Sequence, residues 1–149
     1  MKSSKTRMDL LLDIKNISIE GYSDEIWHPI IKGVNLQLSR GEVLGLIGES
    51  GAGKSTLGLA AMGFFRTGCR FTGGSILFDG KDLTKLSERE KQKLWGTKFS
   101  YVAQSAAAAF NPAHRLINQT IEASLSHKLN EKEILQKEAI QLYKEMQLP

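Results

Sequence analysis

The sequence predicts an α/β fold, in which apolar strands alternate with glycine-bearing loops and short helices. The central observation is one succession: an unbroken apolar run at 43–47, a glycine-rich loop at 48–56 and a helical pattern at 57–62. An unbroken apolar run is typical of a parallel strand that is covered on both faces. Further strand patterns on both sides of this unit, and helical patterns toward the end of the chain, favour a layered α/β domain.

The glycine-rich loop fits the pattern G-x-x-x-x-G-K-[ST], the P-loop. Its residues are Gly48, Glu49, Ser50, Gly51, Ala52, Gly53, Lys54, Ser55 and Thr56. The glycines allow successive backbone N–H groups to point into one hollow, at a helix N-terminus that attracts phosphate. Lys54 adds a positive charge for the β- and γ-phosphates, and the Ser55 hydroxyl can complete the ligand shell of Mg²⁺.

Charge and composition favour an ordinary globular protein of 149 residues, long enough for one domain with a real core. The net charge of +4 comes largely from Lys2, Lys5 and Arg7, in a polar segment that we expect to be flexible over residues 1–9. The sequence shows no basic stripe interleaved with aromatic residues, so we expect no nucleic-acid partner.

The cysteine count excludes a protein with an intramolecular disulfide, and the hydropathy excludes a predicted membrane-spanning helix. Cys69 is the single cysteine, so no intramolecular disulfide can form. The apolar run after the basic start is too short and too acidic at its flanks for a signal peptide. No apolar run approaches the roughly 20 residues that a membrane-spanning helix needs. If the protein works at a membrane, we expect it to do so through a partner.

Two strands are predicted before the apolar run. In residues 11–19, Ile17 and Ile19 alternate with polar neighbours, and in residues 30–38 the side chains of Val34, Leu36 and Leu38 share one face. The segment 21–29 between them is predicted to be a loop with two aromatic residues, Tyr22 and Trp27.

More elements are predicted after the P-loop helix. Residues 75–78 are predicted to form a strand, and the Asp-Gly pair at 79–80 its turn. The S-x-x-E pattern at the start of 87–95 is a capping box that opens a helix. Residues 99–103 are predicted to form another apolar strand, which Gln104 follows directly.

The end of the chain is predicted to be helical. A helix is expected over 117–126, and an N-x-x-E pattern at 130–133 is expected to cap a last helix. The predicted apolar stripe of that helix consists of Ile134, Leu135, Ile140, Leu142 and Met146.

Several stretches carry a resemblance to a known family: G-E-S-G-A-G-K-S-T at 48–56, the segment 32–43 before it, G-G-S-I-L-F-D-G at 73–80 and F-S-Y-V-A-Q at 99–104. In this order they resemble the nucleotide-binding domain of ABC transporters. The A-F-N-P run at 109–112 resembles the peptide and nickel importer branch in particular.

The resemblance implies a P-loop NTPase core with an antiparallel β-subdomain over 10–104. It also implies the Q-loop and the beginning of a helical subdomain over 105–149. The family's signature loop, its second acidic strand with the catalytic glutamate and its switch histidine have no counterpart in these residues. We therefore expect an incomplete domain, the N-terminal part only.

The resemblance also implies roles for residues. Residues 48–56 would hold the phosphates of ATP, with Lys54 neutralising charge and Ser55 contacting Mg²⁺. Gln104 matches the Q-loop glutamine, which in the family reaches the metal and the attacking water; the alternative is a polar residue at a strand end. Tyr22 is the candidate for stacking on adenine, with Trp27 or a simple loop anchor as alternatives.

Asp79 allows two interpretations. It ends an apolar strand, as a metal-binding aspartate would, yet the following glycine favours a hairpin turn, and no glutamate follows. The three histidines, His28, His114 and His127, are scattered without the spacing of metal ligands, and we expect them at the surface.

The function implied by the resemblance is the ATP-binding part of a transporter ATPase subunit that energises import of peptides or a similar small solute. It implies a peripheral position on the cytoplasmic face of the inner or plasma membrane, a second nucleotide-binding subunit, and permease subunits contacted through the Q-loop region. By itself the chain is expected to be inactive as an ATPase.

Two alternatives stay open. One is a non-catalytic fragment that binds nucleotide weakly or not at all. The other is a different P-loop NTPase or a small-molecule kinase. Against the second alternative, the GTPase patterns N-K-x-D and D-x-x-G do not occur, and Arg115 is the only lysine or arginine between Lys98 and Lys128, where a kinase lid would carry arginines.

Overall fold

The computed structural model describes residues 10–105 and 109–148, and the chain divides after Lys91 into two compact units. The domain boundary expected after residue 104 stays a prediction. The basic segment 1–9 lies outside the described residues, so its expected flexibility stays a prediction.

A four-stranded antiparallel sheet forms the first unit, in the order β2-β1-β3-β4. Its strands are β1 (Leu10–Ser23), β2 (Ile26–Ser39), β3 (Cys69–Phe78) and β4 (Lys81–Asp82). The strands predicted at 11–19, 30–38 and 75–78 are confirmed, and each is longer than expected. The expected antiparallel β-subdomain is thereby present.

The loop predicted at 21–29 is wrong, because β1 and β2 continue to a tight turn at Asp24 and Glu25, with φ of 51° and 64°. Two successive left-handed residues are typical of the type I′ turn, whose twist matches that of the flanking strands. Tyr22 pairs with Trp27 across the hairpin, and the Tyr22 N–H donates to the carbonyl of Gly68 at 2.8 Å. Strand pairing therefore includes both aromatic residues.

The core of the first unit follows the alternation of β1, interrupted once. The buried apolar side chains of this unit are those of Leu12, Ile14, Ile17, Ile19, Ile31, Leu57, Leu59, Ala60, Ile76 and Leu83. Between Ile14 and Ile17 the register shifts, with Asn16 at φ 48°, so that both isoleucines stay on the buried face. Gly74 lies against this irregularity: a Cβ there would be 2.5 Å from the carbonyl oxygens of Lys15 and Asn16.

Two predicted strands are absent from the described residues. Residues 43–47 pair with no strand there, and Val43 and Ile47 are 96% and 99% exposed. Of residues 99–103, only Phe99 makes a single bridge, to Trp95. A parallel strand needs a neighbour on which to build its ladder, and the described part of the chain supplies none for these apolar segments.

Short helices lie between β2 and β3 and after β4. A single 3₁₀ turn (Leu83–Lys85) leads into α2 (Glu88–Gln92), after the P-loop helix α1 (Lys54–Ala61). The predicted capping box is confirmed: the Ser87 N–H donates to Glu90 Oε2 at 2.8 Å, and the Glu90 N–H donates to Ser87 Oγ at 3.4 Å. The helix ends at Gln92, before the expected residue 95.

Among the described residues of the second unit are the helices α3 (Leu116–Ser126) and α4 (Lys132–Glu145). They pack through Ile121, Leu135 and Ala139. The helix predicted at 117–126 is confirmed. The stripe predicted for α4 is wrong apart from Leu135, because the buried face runs through Ala139 and leaves the other members exposed. No side chain caps α4 at Glu131, so the predicted N-x-x-E cap does not form.

Candidate functional site

The P-loop ends at the first residue of α1, which begins at Lys54 with Gly53 as its N-cap. The Leu57 N–H donates to the Gly53 carbonyl at 2.8 Å. The amides of Lys54, Ser55 and Thr56 precede this bond and therefore have no acceptor within the helix. The first turn carries no acidic side chain, so the positive end of the helix dipole stays available for an anion.

Gly53 is the point at which the loop meets the sheet. It has a φ of +80°, and a Cβ there would lie 2.8 Å from Ile31 Cδ1, 3.2 Å from Ile30 Cγ2 and 3.3 Å from the Ile30 carbonyl oxygen. Gly51 has a similar φ of +83°, but nothing lies within 4 Å of its would-be Cβ. Glycine is therefore needed at 53 for conformation and for space, and at 51 for conformation alone.

Lys54 turns its side chain back over the loop. Its Nζ donates to the carbonyl oxygens of Gly48 at 2.8 Å and Glu49 at 2.6 Å. The Ala52 N–H donates to the Glu49 carbonyl at 3.2 Å, which closes a turn in the same loop. An ammonium group and a set of unpaired helix amides thus share one loop, which is the chemistry of a phosphate-binding site.

Two predicted site residues lie outside the P-loop in the sequence. Gln104 belongs to the second unit and is exposed, directly after the apolar segment that forms no strand. Tyr22 is 52% exposed, with its ring centroid 5.1 Å from that of Trp27. The roles predicted for Gln104 and Tyr22 stay predictions.

Asp79 behaves as a turn residue. It has a φ of 48°, directly before Gly80 at 78°, and its Oδ1 accepts a hydrogen bond from Arg40. The turn interpretation is therefore confirmed. Within residues 10–105 and 109–148, no group of three His, Cys, Asp or Glu side chains could hold a metal ion.

The contact of Gly53 with Ile30 and Ile31 was not predicted from the sequence, because no motif marks it. The sequence interpretation also missed the cluster of Tyr22, Trp27 and Arg70, in which the Arg70 guanidinium lies 4.1 Å from the Trp27 ring centroid. A signal for that cluster was present. A tight turn at 24–25 would have placed Tyr22 opposite Trp27.

A G-x-x-x-x-G-K-S loop that leads directly into a helix is the pattern of the P-loop class. The family model described as ABC transporter matches residues 31–148, and the chain belongs to that family.

Several curated relatives are transport ATP-binding proteins. The chain is 35% identical to the oligopeptide transport ATP-binding protein OppD of Bacillus subtilis, over 96% of this chain and 40% of that protein. It is 38% identical to the peptide transport system ATP-binding protein SapD of Salmonella typhimurium, over 75% and 34%. It is 31% identical to the dipeptide transport ATP-binding protein DppD of Haemophilus influenzae, over 93% and 42%. The chain thus spans about two fifths of the length of these relatives.

A solved structure supports the fold. The ATP-binding cassette MJ0796, in a dimeric post-hydrolysis state bound to ADP and Pi, matches with a TM-score of 0.72 at 21% identity. The match covers 93% of this chain and 58% of that one. Along the described part of the chain, no helix is both long and apolar enough to cross a bilayer.

Proposed function

We propose that this chain is the ATP-binding part of an ABC transporter ATPase subunit that energises the import of peptides or a similar small solute. One observation carries the proposal: the Lys54 ammonium and the unpaired first amides of α1 belong to the same loop, in a chain of the ABC transporter family. The peptide class of substrate is supported by the names of the relatives.

Residues 48–56 would surround the phosphates of ATP, with the amides of α1 donating to them. Lys54 would exchange its bonds to the loop carbonyls for bonds to the β- and γ-phosphates. Ser55, which is exposed at the first turn of α1, would contribute its hydroxyl to Mg²⁺. Bound Mg²⁺ supplies charge neutralisation between the β- and γ-phosphates. Gln104 would contact the metal and orient the attacking water.

The partners belong to the same proposal. A second nucleotide-binding subunit would close over the nucleotide, and permease subunits would contact the region after Gln104 at the cytoplasmic face of the membrane. Phosphoryl transfer needs positioning, charge neutralisation and a group that orients the water. The P-loop supplies the first two and Gln104 would contact the water, but the family's catalytic glutamate and its L-S-G-G-Q-like signature have no counterpart in residues 1–149. We therefore expect nucleotide binding, at best weak, without turnover.

The test is a ¹H–¹⁵N NMR titration of the purified chain with ATP and Mg²⁺, a method that detects millimolar affinities. The variant is Lys54→Ala, and Lys81→Ala, an exposed lysine of β4, is the matched control. We expect Lys54→Ala to weaken binding at least tenfold and Lys81→Ala to change it less than twofold. A steady-state ATPase assay accompanies it, and turnover abolished by Lys54→Ala would refute the expected inactivity.

A second candidate function is a non-catalytic fragment without nucleotide affinity. The exposed apolar segment 43–47 favours it, because this segment leads directly into the loop and has no strand partner in the described residues. A folded chain whose spectrum does not respond to millimolar ATP would support this candidate and refute the first.

A further inference from the structure

The hairpin of β1 and β2 has two faces that carry different side chains near its turn. On one face Tyr22 lies opposite Trp27, and Arg70 lies over the Trp27 ring. Glu20 holds Arg70 through hydrogen bonds of 2.8 Å from Nε and 2.7 Å from Nη2 to Oε2. The two aromatic rings therefore already have partners, which suits a structural role in which these side chains join β1, β2 and β3.

The other face contacts the P-loop. Gly21 directly precedes Tyr22 and so faces the opposite side, because successive residues of a strand alternate. A Cβ on Gly21 would lie 2.6 Å from Ile30 Cδ1, and a Cβ on Gly53 would lie 3.2 Å from Ile30 Cγ2. One isoleucine side chain therefore reaches from the P-loop end to Gly21.

His28 is the residue opposite Gly21 in the ladder of β1 and β2, and it is exposed. It follows Trp27, so it faces away from the aromatic cluster and toward the side on which Gly53 is seated. Gly21 has no side chain to cover this place. His28, Gly21 and the Ile30 side chain thus lie on the side of the hairpin that contacts the start of α1.

We propose that His28 contacts the base of a nucleotide held by the P-loop, and that Tyr22 does not. The proposal rests on the proposed function, because it requires phosphates at the amides of α1. A base lying on Ile30 would meet a flat ring for stacking and a ring nitrogen able to hydrogen-bond its edge. The alternation of β1 and β2 places Tyr22 and Trp27 on the wrong face for such a contact.

The experiment compares a ligand with a base to one without. The full chain is titrated by ¹H–¹⁵N NMR with ATP and, separately, with inorganic tripolyphosphate, each with Mg²⁺. The variants are His28→Ala, His28→Phe and Tyr22→Ala. We expect His28→Ala to weaken ATP binding about fivefold to tenfold, which corresponds to the loss of one stacking contact, and to leave tripolyphosphate binding unchanged. His28→Phe keeps a flat ring and should retain most of the affinity for ATP.

Several results would overturn the inference. It fails alone if wild type binds tripolyphosphate and ATP equally, or if Tyr22→Ala weakens ATP binding while His28→Ala does not. It also fails alone if His28→Ala weakens both ligands equally, because the histidine would then act on the phosphates. If wild type binds neither ligand, the proposed function fails with it. The dispersion of each variant's spectrum confirms that it is folded.

Discussion

Replacing Gly53 with alanine should destabilise the first unit more than replacing Gly51, although both glycines have nearly the same φ, +80° and +83°. A left-handed residue with a Cβ costs about 1–2 kcal/mol, and this is all that Gly51→Ala should lose, since its Cβ meets nothing within 4 Å. In Gly53→Ala the new methyl would lie 2.8 Å from Ile31 Cδ1 and 3.3 Å from the Ile30 carbonyl oxygen. Overpacking of this kind adds about 1–3 kcal/mol, so the total should be about 2–5 kcal/mol.

Urea denaturation followed by tryptophan fluorescence measures this difference. Trp27 belongs to the first unit and Trp95 to the second, so a Trp95→Phe background makes the signal specific to the first unit. Adding Ile31→Val removes the atom closest to the new methyl. The free energies of unfolding of the double variant and the two single variants then form a cycle, in which we expect a coupling of about 1 kcal/mol. Equal destabilisation by Gly51→Ala and Gly53→Ala, without coupling to Ile31, would refute the seating of the loop on β2.

Three other predictions concern the rest of the chain. Leu135→Ala should lower the free energy of unfolding of the second unit by about 2–5 kcal/mol, whereas substitution of its exposed neighbour, Ile134→Ala, should lower it by less than about 1 kcal/mol. The measurement is urea denaturation followed by Trp95 fluorescence. Similar values for the two variants would contradict the observed buried face of α4. Val43→Lys should leave the free energy of unfolding unchanged and reduce self-association in light scattering, because this side chain is 96% exposed and apolar; a large loss of stability would mean that the residue is buried. Burial raises the pKa of Asp82, but hydrogen bonds, first from the Thr84 side chain, outweigh it and hold the pKa below the ordinary 3.8. The carboxylate therefore stabilises the fold fully above about pH 3.8, and this contribution falls away as the pH drops through the lower folded value. In Asp82→Asn the urea midpoint should vary less with pH over that acidic range. A variant with the same pH profile as wild type would exclude the Asp82 carboxylate as the cause of the pH dependence.

Local chemistry could be predicted from the sequence, and non-local pairing could not. The Asp-Gly turn, the Ser87 capping box and the start of a helix at Lys54 are decided by neighbours within a few residues, and the structure has each of these elements. Residues 43–47 have the composition of a buried strand, but a strand exists only where another segment offers a ladder, and composition does not reveal that segment. The prediction of the apolar stripe of α4 was wrong for a similar reason. Several apolar residues of a helix could form its buried face, and packing against the neighbouring helix decides which of them do.

The sequence also could not predict on which face of the β1–β2 hairpin Tyr22 lies. Irregularities in the pairing of β1 and β2 shift the register between Ile14 and Ile17 and again near Glu20. Each shift changes which residues share a face, because the side-chain period of a strand is two. A candidate aromatic residue can therefore be identified from its position near the end of a strand, yet its side can be assigned only when every bulge before it is known.

The bonds from Lys54 to the carbonyls of Gly48 and Glu49 make this lysine an internal brace as well as a charge. Without ligand the curved backbone is already held, so less conformational entropy is lost when an anion binds, whereas the two bonds from Lys54 to the carbonyls must be given up at the same time. Truncating the side chain removes the brace together with the cation, and the affinity lost in Lys54→Ala then combines two effects. Comparing the exchange rates of the 48–53 amides in that variant and in wild type, both without ligand, would separate them.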